Sequence, residues 1–387
     1  MALVLTAALY MVASDYAPAL DLGTRALSMA ERVRADNVRA GALVVVGTVL
    51  ASVDPSRRDE GFAMLDEARS LGDRVGAVQF ACDAVINSGL RLLAVDRFAR
   101  ARRQFHRSRT YARMRQIGLV DTWAEYGLWL LDWRRGDWKR ALRRLPSVQK
   151  LAGGSGEWNR GRSRLQVELA ATDIDLGRTE VAAARLDAHE PWLSRNTMEH
   201  GRAPYLRERL RVAIARSRER EADGVINSLL DMLGERPTHS DKVMAPLLTA
   251  VHWLARRRAP GGAAATFVAV LEQAERQYGS ATARATAAEA HGVLADVAGD
   301  TGAASAHYLE AAGLWAAAGF SLDEVRARGL AAHALASLER EGEAAAARAR
   351  GEALLAALSA QLPSGALVRS FRSRAWPLVD DPRNALP

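Results

Sequence analysis

A three-part phrase recurs along this chain: a turn signal, a helix-capping residue, and a small residue a few positions later. It is clearest in "GDWKRAL", where Gly136 stops one helix, Asp137 caps the next and Ala141 lies inside it. "SDYAPAL" supplies Ala19, "VDRFARA" supplies Ala101 and "GDTGAAS" supplies Ala304, with weaker versions at Gly61, Ala182, Gly224, Ala264 and Ala345. Successive anchors stand 42, 40, 40, 41, 42, 40, 40 and 41 residues apart. A unit of that length holds one helix pair, which is too small to bury its apolar surface alone. The period therefore predicts a stack in which each pair is covered by its neighbours. Small anchors suit such a stack, because two helix backbones approach closely only where no side chain intervenes.

The expected fold class is all-α, a right-handed α-solenoid of about nine antiparallel helix hairpins. In each unit a first helix of about 16–20 residues precedes the anchor phrase and a second of about 12–20 follows it. Composition agrees: alanine, leucine, arginine and glutamate dominate, and there are only 12 prolines. Gly72, Gly118, Gly279 and Gly319 are placed to close second helices, since glycine enters the left-handed stop conformation freely. Residues 1–150 read as repeats 1–4 and residues 164–358 as repeats 5–9. Between them, "LAGGSGEWNRGRS" (151–163) reads as a glycine-rich hinge loop. Residues 359–387 read as a C-terminal cap or tail, with Phe371 and Trp376 available to cover the last pair.

"TWAEYGLWLLDWRRGDWKRAL" (122–142) concentrates four of the chain's nine tryptophans. On a helix, Trp123, Tyr126, Trp129 and Trp133 share one broad face with Leu130, while Leu128 and Leu131 lie on another side. A helix apolar on two sides is sandwiched between neighbours, so packing alone accounts for the cluster. The functional alternative is that some of these rings line a ligand or peptide groove, with Trp133 and Arg134 at the helix end best placed near the rim.

The formal net charge of +8 is uneven. Residues 96–164 carry 18 Lys/Arg against 6 Asp/Glu, a net of +12 that leaves −4 for the rest. The densest stretch, "DRFARARRQFHRSRTYARMRQ", keeps a narrow apolar stripe of Phe98, Ala101, Phe105 and Ala112. Arg97, Arg100, Arg103, Arg107, Arg113 and Arg115 form a basic patch around it. Such a surface is either a solvated face paired with acids of adjacent units or a docking surface for an acidic partner, protein before nucleic acid.

Catalytic signatures are missing. No lysine follows a glycine, which excludes a P-loop, and there is no H-E-x-x-H. The eight histidines are scattered without metal-ligand spacing, and "GGSGE" around Ser155 lacks the last glycine of a nucleophile elbow. No cofactor, metal or catalytic residue is expected. The single cysteine, Cys82, permits no internal disulfide and fits a reduced cytoplasmic setting. The apolar start "MALVLTAALYMVAS" has no basic residue before Arg25 and is interrupted by Asp15, so neither a signal peptide nor a spanning helix is expected there or elsewhere.

"SDYAPALDLGTRALSMAERV", "GDWKRAL" and "GDTGAASAHYLEAAGLWAAAGFSLDEVRARGLAAHALASL" resemble tetratricopeptide-type repeats. They are similar in particular to the longer version in the superhelical sensor region of large ATP-binding LuxR-type transcriptional regulators. The resemblance runs from about Ala2 to Leu358. It departs from the standard repeat in its period, which is longer than 34 residues, and the chain carries neither the P-loop ATPase nor the helix-turn-helix of such regulators. What the resemblance implies is a non-enzymatic interaction or effector-sensing module, free-standing or the sensor portion of a divided regulator. Its first helices would line a concave groove for a protein, a peptide or a small effector. Nucleic acid, contacted through residues 96–164, is the alternative partner; no membrane is implied and no oligomeric state is set.

Overall fold

The computed structural model describes residues 1–153, 159–193, 199–234, 239–257 and 261–375. Among them are nineteen helices and no strand. Eighteen form nine successive pairs: α1 (Ala2–Val12) with α2 (Tyr16–Arg32), α3 (Asp36–Val53) with α4 (Arg58–Arg74), α5 (Val78–Ala94) with α6 (Phe98–Arg115), α7 (Gly118–Arg134) with α8 (Trp138–Gly153), and α9 (Asn159–Asp175) with α10 (Thr179–Leu193). Then come α11 (Glu199–Ala215) with α12 (Glu219–Leu233), α13 (Met244–Arg256) with α14 (Gly261–Tyr278), α15 (Ala281–Val297) with α16 (Thr301–Ala318), and α17 (Ser321–Ser337) with α18 (Glu341–Ser359). A nineteenth helix, α19 (Gly365–Ala375), follows them. The expected all-α array of helix hairpins is therefore the architecture observed.

The small-residue period has a simple structural meaning. In all nine second helices the fourth residue is small and buried: Ala19, Gly61, Ala101, Ala141, Ala182, Ala222, Ala264, Ala304 and Ala344. Two of the expected anchors are corrected by this rule. Gly224 and Ala345 are exposed, and their neighbours Ala222 and Ala344 take the buried position. Backbone contact is tightest at Gly61, where an added Cβ would lie 2.5 Å from the Ala51 amide nitrogen and 2.7 Å from the Gly47 carbonyl oxygen.

One turn joins most of the helices. At Ser14, Arg34, Gly76, Asp96, Gln116, Gly136, Gly177, Ser217, Gly299, Gly319 and Glu339 the backbone is left-handed, with φ between 55° and 81°. The next amide then donates to the carbonyl five residues back, as in Asp137 to Asp132 (2.9 Å) and Arg178 to Asp173 (2.7 Å). This pairs carbonyls that a helix end otherwise leaves exposed. Of the four glycines expected to stop second helices, Gly279 and Gly319 have positive φ at such ends. Gly72 instead lies inside α4 and Gly118 opens α7, where the left-handed stop is Gln116. Side-chain capping is rarer than the sequence suggested. Asp300 accepts from the Ala303 amide at 2.9 Å, while Asp15 caps without such a bond.

First and second helices are buried differently. Second helices bury one stripe, as in α4, where Gly61, Phe62, Leu65, Ala68, Leu71 and Gly72 are the buried positions along with Arg58. First helices are enclosed on several sides, and α3 is buried without interruption from Ala40 to Ser52. Successive first helices also pack on one another (α1 on α3, α3 on α5; α9 on α11, α11 on α13, α13 on α15). Within each unit, the side on which the first helices meet one another is termed the inner face. No spanning helix was expected, yet α3, 18 residues with a mean hydropathy of 1.4, is long and apolar enough to cross a membrane; 72% of it is buried inside the array.

The chain divides into two compact units. One comprises residues 1–131 together with 239–241 and 276–280, and the other comprises most of the remainder from Asp132 onward. The division falls inside α7, ahead of the glycine-rich stretch expected to act as a hinge; residues 154–158 of that stretch lie outside the described residues. In the first unit the two short segments are held by buried polar groups. Arg58 donates to the Tyr278 carbonyl at 2.6 Å, the Tyr278 hydroxyl donates to the His239 carbonyl at 2.8 Å, and Arg91 meets Asp241 at 3.4 Å. In the second unit the α7–α8 turn meets the end of α18. Gln361 donates to the Gly136 carbonyl at 2.8 Å and accepts from the Lys139 amide at 3.1 Å, linking positions more than 220 residues apart.

Candidate functional site

In the second unit the inner face of the first helices is charged where packing alone would favour carbon. Asp175 of α9 accepts from Arg211 of α11 at 2.6 Å. Arg211 also donates to Glu208 at 2.9 Å, and Glu208 accepts from Arg207 at 3.0 Å. Farther along, Glu289 of α15 faces His252 of α13 at 2.8 Å and Arg326 of α17. Arg326 in turn donates to Asp323 at 2.9 Å. Two indoles complete the set: Trp133 donates to Asp175 at 3.0 Å and Trp315 to Glu289 at 2.9 Å. Glu289, Glu208, Arg211 and Arg326 are all buried.

The electrostatics follow from pairing inside a poorly solvated space. Burial pushes the Glu289 carboxyl up, but Arg326 and the His252 hydrogen bond outweigh it and bring the pKa down to about 2. Asp175 is likewise lowered, burial being overcome by Arg211, and the Arg211 and Arg326 guanidiniums are raised by their carboxylates. Glu289 and Asp175 are thus held ionised, which suits neither to donate a proton near neutral pH. Among the described residues no group of three or more His, Cys, Asp or Glu is arranged to hold a metal. The charged groups are held in fixed orientations by pairing with one another, and Asp175, His252 and Asp323 at their edges are half-buried.

The tryptophan cluster is mostly core. Tyr126 and Trp129 are each 1% exposed and Trp133 is 7% exposed, while Trp123 and Arg134 are half-buried. Trp123 meets Tyr126 edge to face at 5.6 Å, and Tyr126 lies 6.2 Å from Trp129. Trp133 stacks on Trp138 at 4.6 Å with the rings 6° from parallel. Of the five groove candidates, Trp133 is tied directly to the charged inner face, through Asp175. The burial of Tyr126 and Trp129 comes from the double-sided packing of a first helix.

The basic patch is largely paired. Arg97 and Arg100 both meet Asp59 of α4, and both guanidiniums lie over the Phe62 ring, at 5.7 and 5.3 Å. Arg113 reaches Asp121 at 3.9 Å and Arg115 reaches Asp73 at 3.2 Å. Arg103 and Arg107 are exposed, and Arg107 borders a cleft of about 300 Å³ with Asp66, Arg69 and Tyr111.

Sequence reading missed Asp175, Glu208, Arg211, His252, Glu289 and Arg326. In "LRERLRVAIA" and "ATAAEAHG" a charge beside apolar residues looks like an ordinary surface position. The available signal was their recurrence in first helices at intervals of 36 or 37 residues, as from Asp175 to Arg211, His252 to Glu289 and Glu289 to Arg326.

No family model matches the chain, and no curated protein matches it. Among solved structures it is similar to a Rap protein crystallised in complex with Competence and Sporulation Factor. The match has a TM-score of 0.60 at 12% identity and covers 93% of this chain and 98% of that one. At that identity the likeness is one of fold, extending over nearly the whole of both chains.

Proposed function

We propose that the chain is a non-enzymatic recognition module, and that the inner face of its second unit binds a protein or peptide segment. The observation that carries this reading is the buried ion pairs that join α9 to α11 and α15 to α17. Burying ion pairs is a poor way to stabilise a fold, because desolvation offsets much of the attraction and apolar replacements are often as stable or more so. A surface that keeps them has a use for oriented polar groups. The Rap protein of similar fold was solved with a factor bound, which supports a binding role for this architecture. The setting proposed is the effector-sensing part of a bacterial transcriptional or signalling regulator, of the LuxR type that the repeats resemble, in the cytoplasm. A small effector is the variant of this reading in which the ligand fills only part of the face.

Contact with nucleic acid through α6 is the weaker alternative, because Asp59, Asp73, Asp121 and Glu125 already meet its arginines. A photo-crosslinking residue placed at Arg207 on the inner face, or at Arg103 on α6, separates the two in host cells. Protein adducts at 207 with none at 103 are expected. Adducts only at 103, or only to nucleic acid, would overturn the inner-face reading.

A further inference from the structure

Within the second unit the C-terminal helix α19 packs against α9, the α9–α10 turn and Trp138 at the start of α8. Its hold is slight. Of eleven residues only Phe371 and Ala375 are buried, and Gly365, Ala366, Arg369, Arg372 and Ser373 are exposed. A helix of this length is marginal on its own in water, so docking is what keeps it folded. The seat, by contrast, is firmly built. Phe371 meets the Trp138 ring edge to face at 4.9 Å. Trp138 is itself fixed by stacking on Trp133 and by donating to the Trp133 carbonyl at 3.1 Å. Beside it, Gly177 is in the left-handed turn between α9 and α10, and its missing side chain admits the backbone of Ser370; a Cβ there would collide with the Ser370 carbonyl oxygen.

We propose that this seat, formed by Trp138, Gly177 and the adjoining charged face, is an exchangeable site for a short helical peptide with an aromatic anchor, and that α19 is its resident occupant. The proposal rests on the reading of the inner face as a recognition surface and names both the ligand class and the internal competitor. The Arg374 guanidinium near the end of α19 lies close to Asp175, Arg211, Arg326 and Arg207, so the helix also reaches the charged residues of the first helices.

The test uses the full chain and a labelled synthetic peptide of residues 365–375, followed by fluorescence anisotropy. In the wild type the tethered helix acts at an effective concentration of about millimolar, so the free peptide competes poorly. A Phe371→Ala chain is expected to bind the peptide at least about tenfold more tightly than the wild type does. Changing Phe371→Ala in the peptide abolishes that gain. Equal binding to both chains with unchanged circular dichroism, or equal binding of the peptide lacking phenylalanine, would overturn the proposal. Should the Phe371→Ala chain misfold, a protease site inserted at Pro363–Ser364 gives a second readout. After cutting, excess peptide 365–375 is expected to displace the C-terminal fragment on a sizing column; retention of the fragment overturns the exchange. Both readouts use the chain's own segment, so they fail or succeed independently of crosslinking to a host partner.

Discussion

At the scale of single residues, Glu289 is the most consequential charge in the second unit, because Arg326, His252 and Trp315 all depend on it. Its folded pKa of about 2 lies below the ordinary 4.5, so its contribution to stability is present above pH 4.5 and is lost as pH falls through about 2. The shift corresponds to roughly 3 kcal/mol. Denaturant melts between pH 6 and pH 2 are expected to show this loss, and Glu289→Gln is expected to flatten that part of the profile. At neutral pH the same substitution leaves buried Arg326 without one of the two carboxylates it meets and costs up to about 3–5 kcal/mol. The paired change Glu289→Leu with Arg326→Leu is expected to restore stability to within about 1–2 kcal/mol of the wild type or beyond it. A double variant as unstable as the single one would mean that the ion pair itself holds the fold. These residues were the least legible in the sequence, because a carboxylate inside a helix reads the same whether it faces water or a partner in the next hairpin. Trp133 was legible as a candidate, but only the coordinates join it to Asp175.

At the scale of elements, the left-handed turn between helices is the unit that repeats most faithfully. Six of the eleven turns place a side chain at the left-handed position, Glu339 among them. There a non-glycine residue bears a steric cost that glycine avoids. Glu339→Gly is therefore expected to leave the protein as stable or to raise its stability by up to about 1 kcal/mol, as read from the denaturation midpoint. Gly177→Ala runs the other way, adding both strain and a collision with Ser370, and is expected to cost about 2 kcal/mol or more. The repeat itself was plain in the sequence because a buried fourth position tolerates only small residues. The errors at Gly224 and Ala345 share a physical origin. In "EADGV" and "EAAAA" several small residues lie side by side, and only the packed helix decides which one meets its neighbour. Glycine stops were harder to place, because Ser, Arg, Asp, Gln and Glu serve in the same turn.

At the scale of the whole molecule, the sequence specified an array of hairpins but not its division. The same turn marks most of the junctions, whereas the border between the two compact units falls inside the continuous helix α7, where no local residue announces it. Nor could a period of about forty residues show that α19 would pack against Trp138 and the α9–α10 turn, since the contacts of Phe371 with Trp138 and of Ser370 with Gly177 join distant positions. The function proposed depends on that inner face being a place where polypeptide binds. Hydrogen exchange of the chain alone and with its crosslink-identified partner addresses this most directly. Slowed exchange on the first helices α9, α11 and α17, with faster exchange in α19 as it is displaced, is the expected result. Protection confined to α6, or no change on the first helices of the second unit, would contradict it.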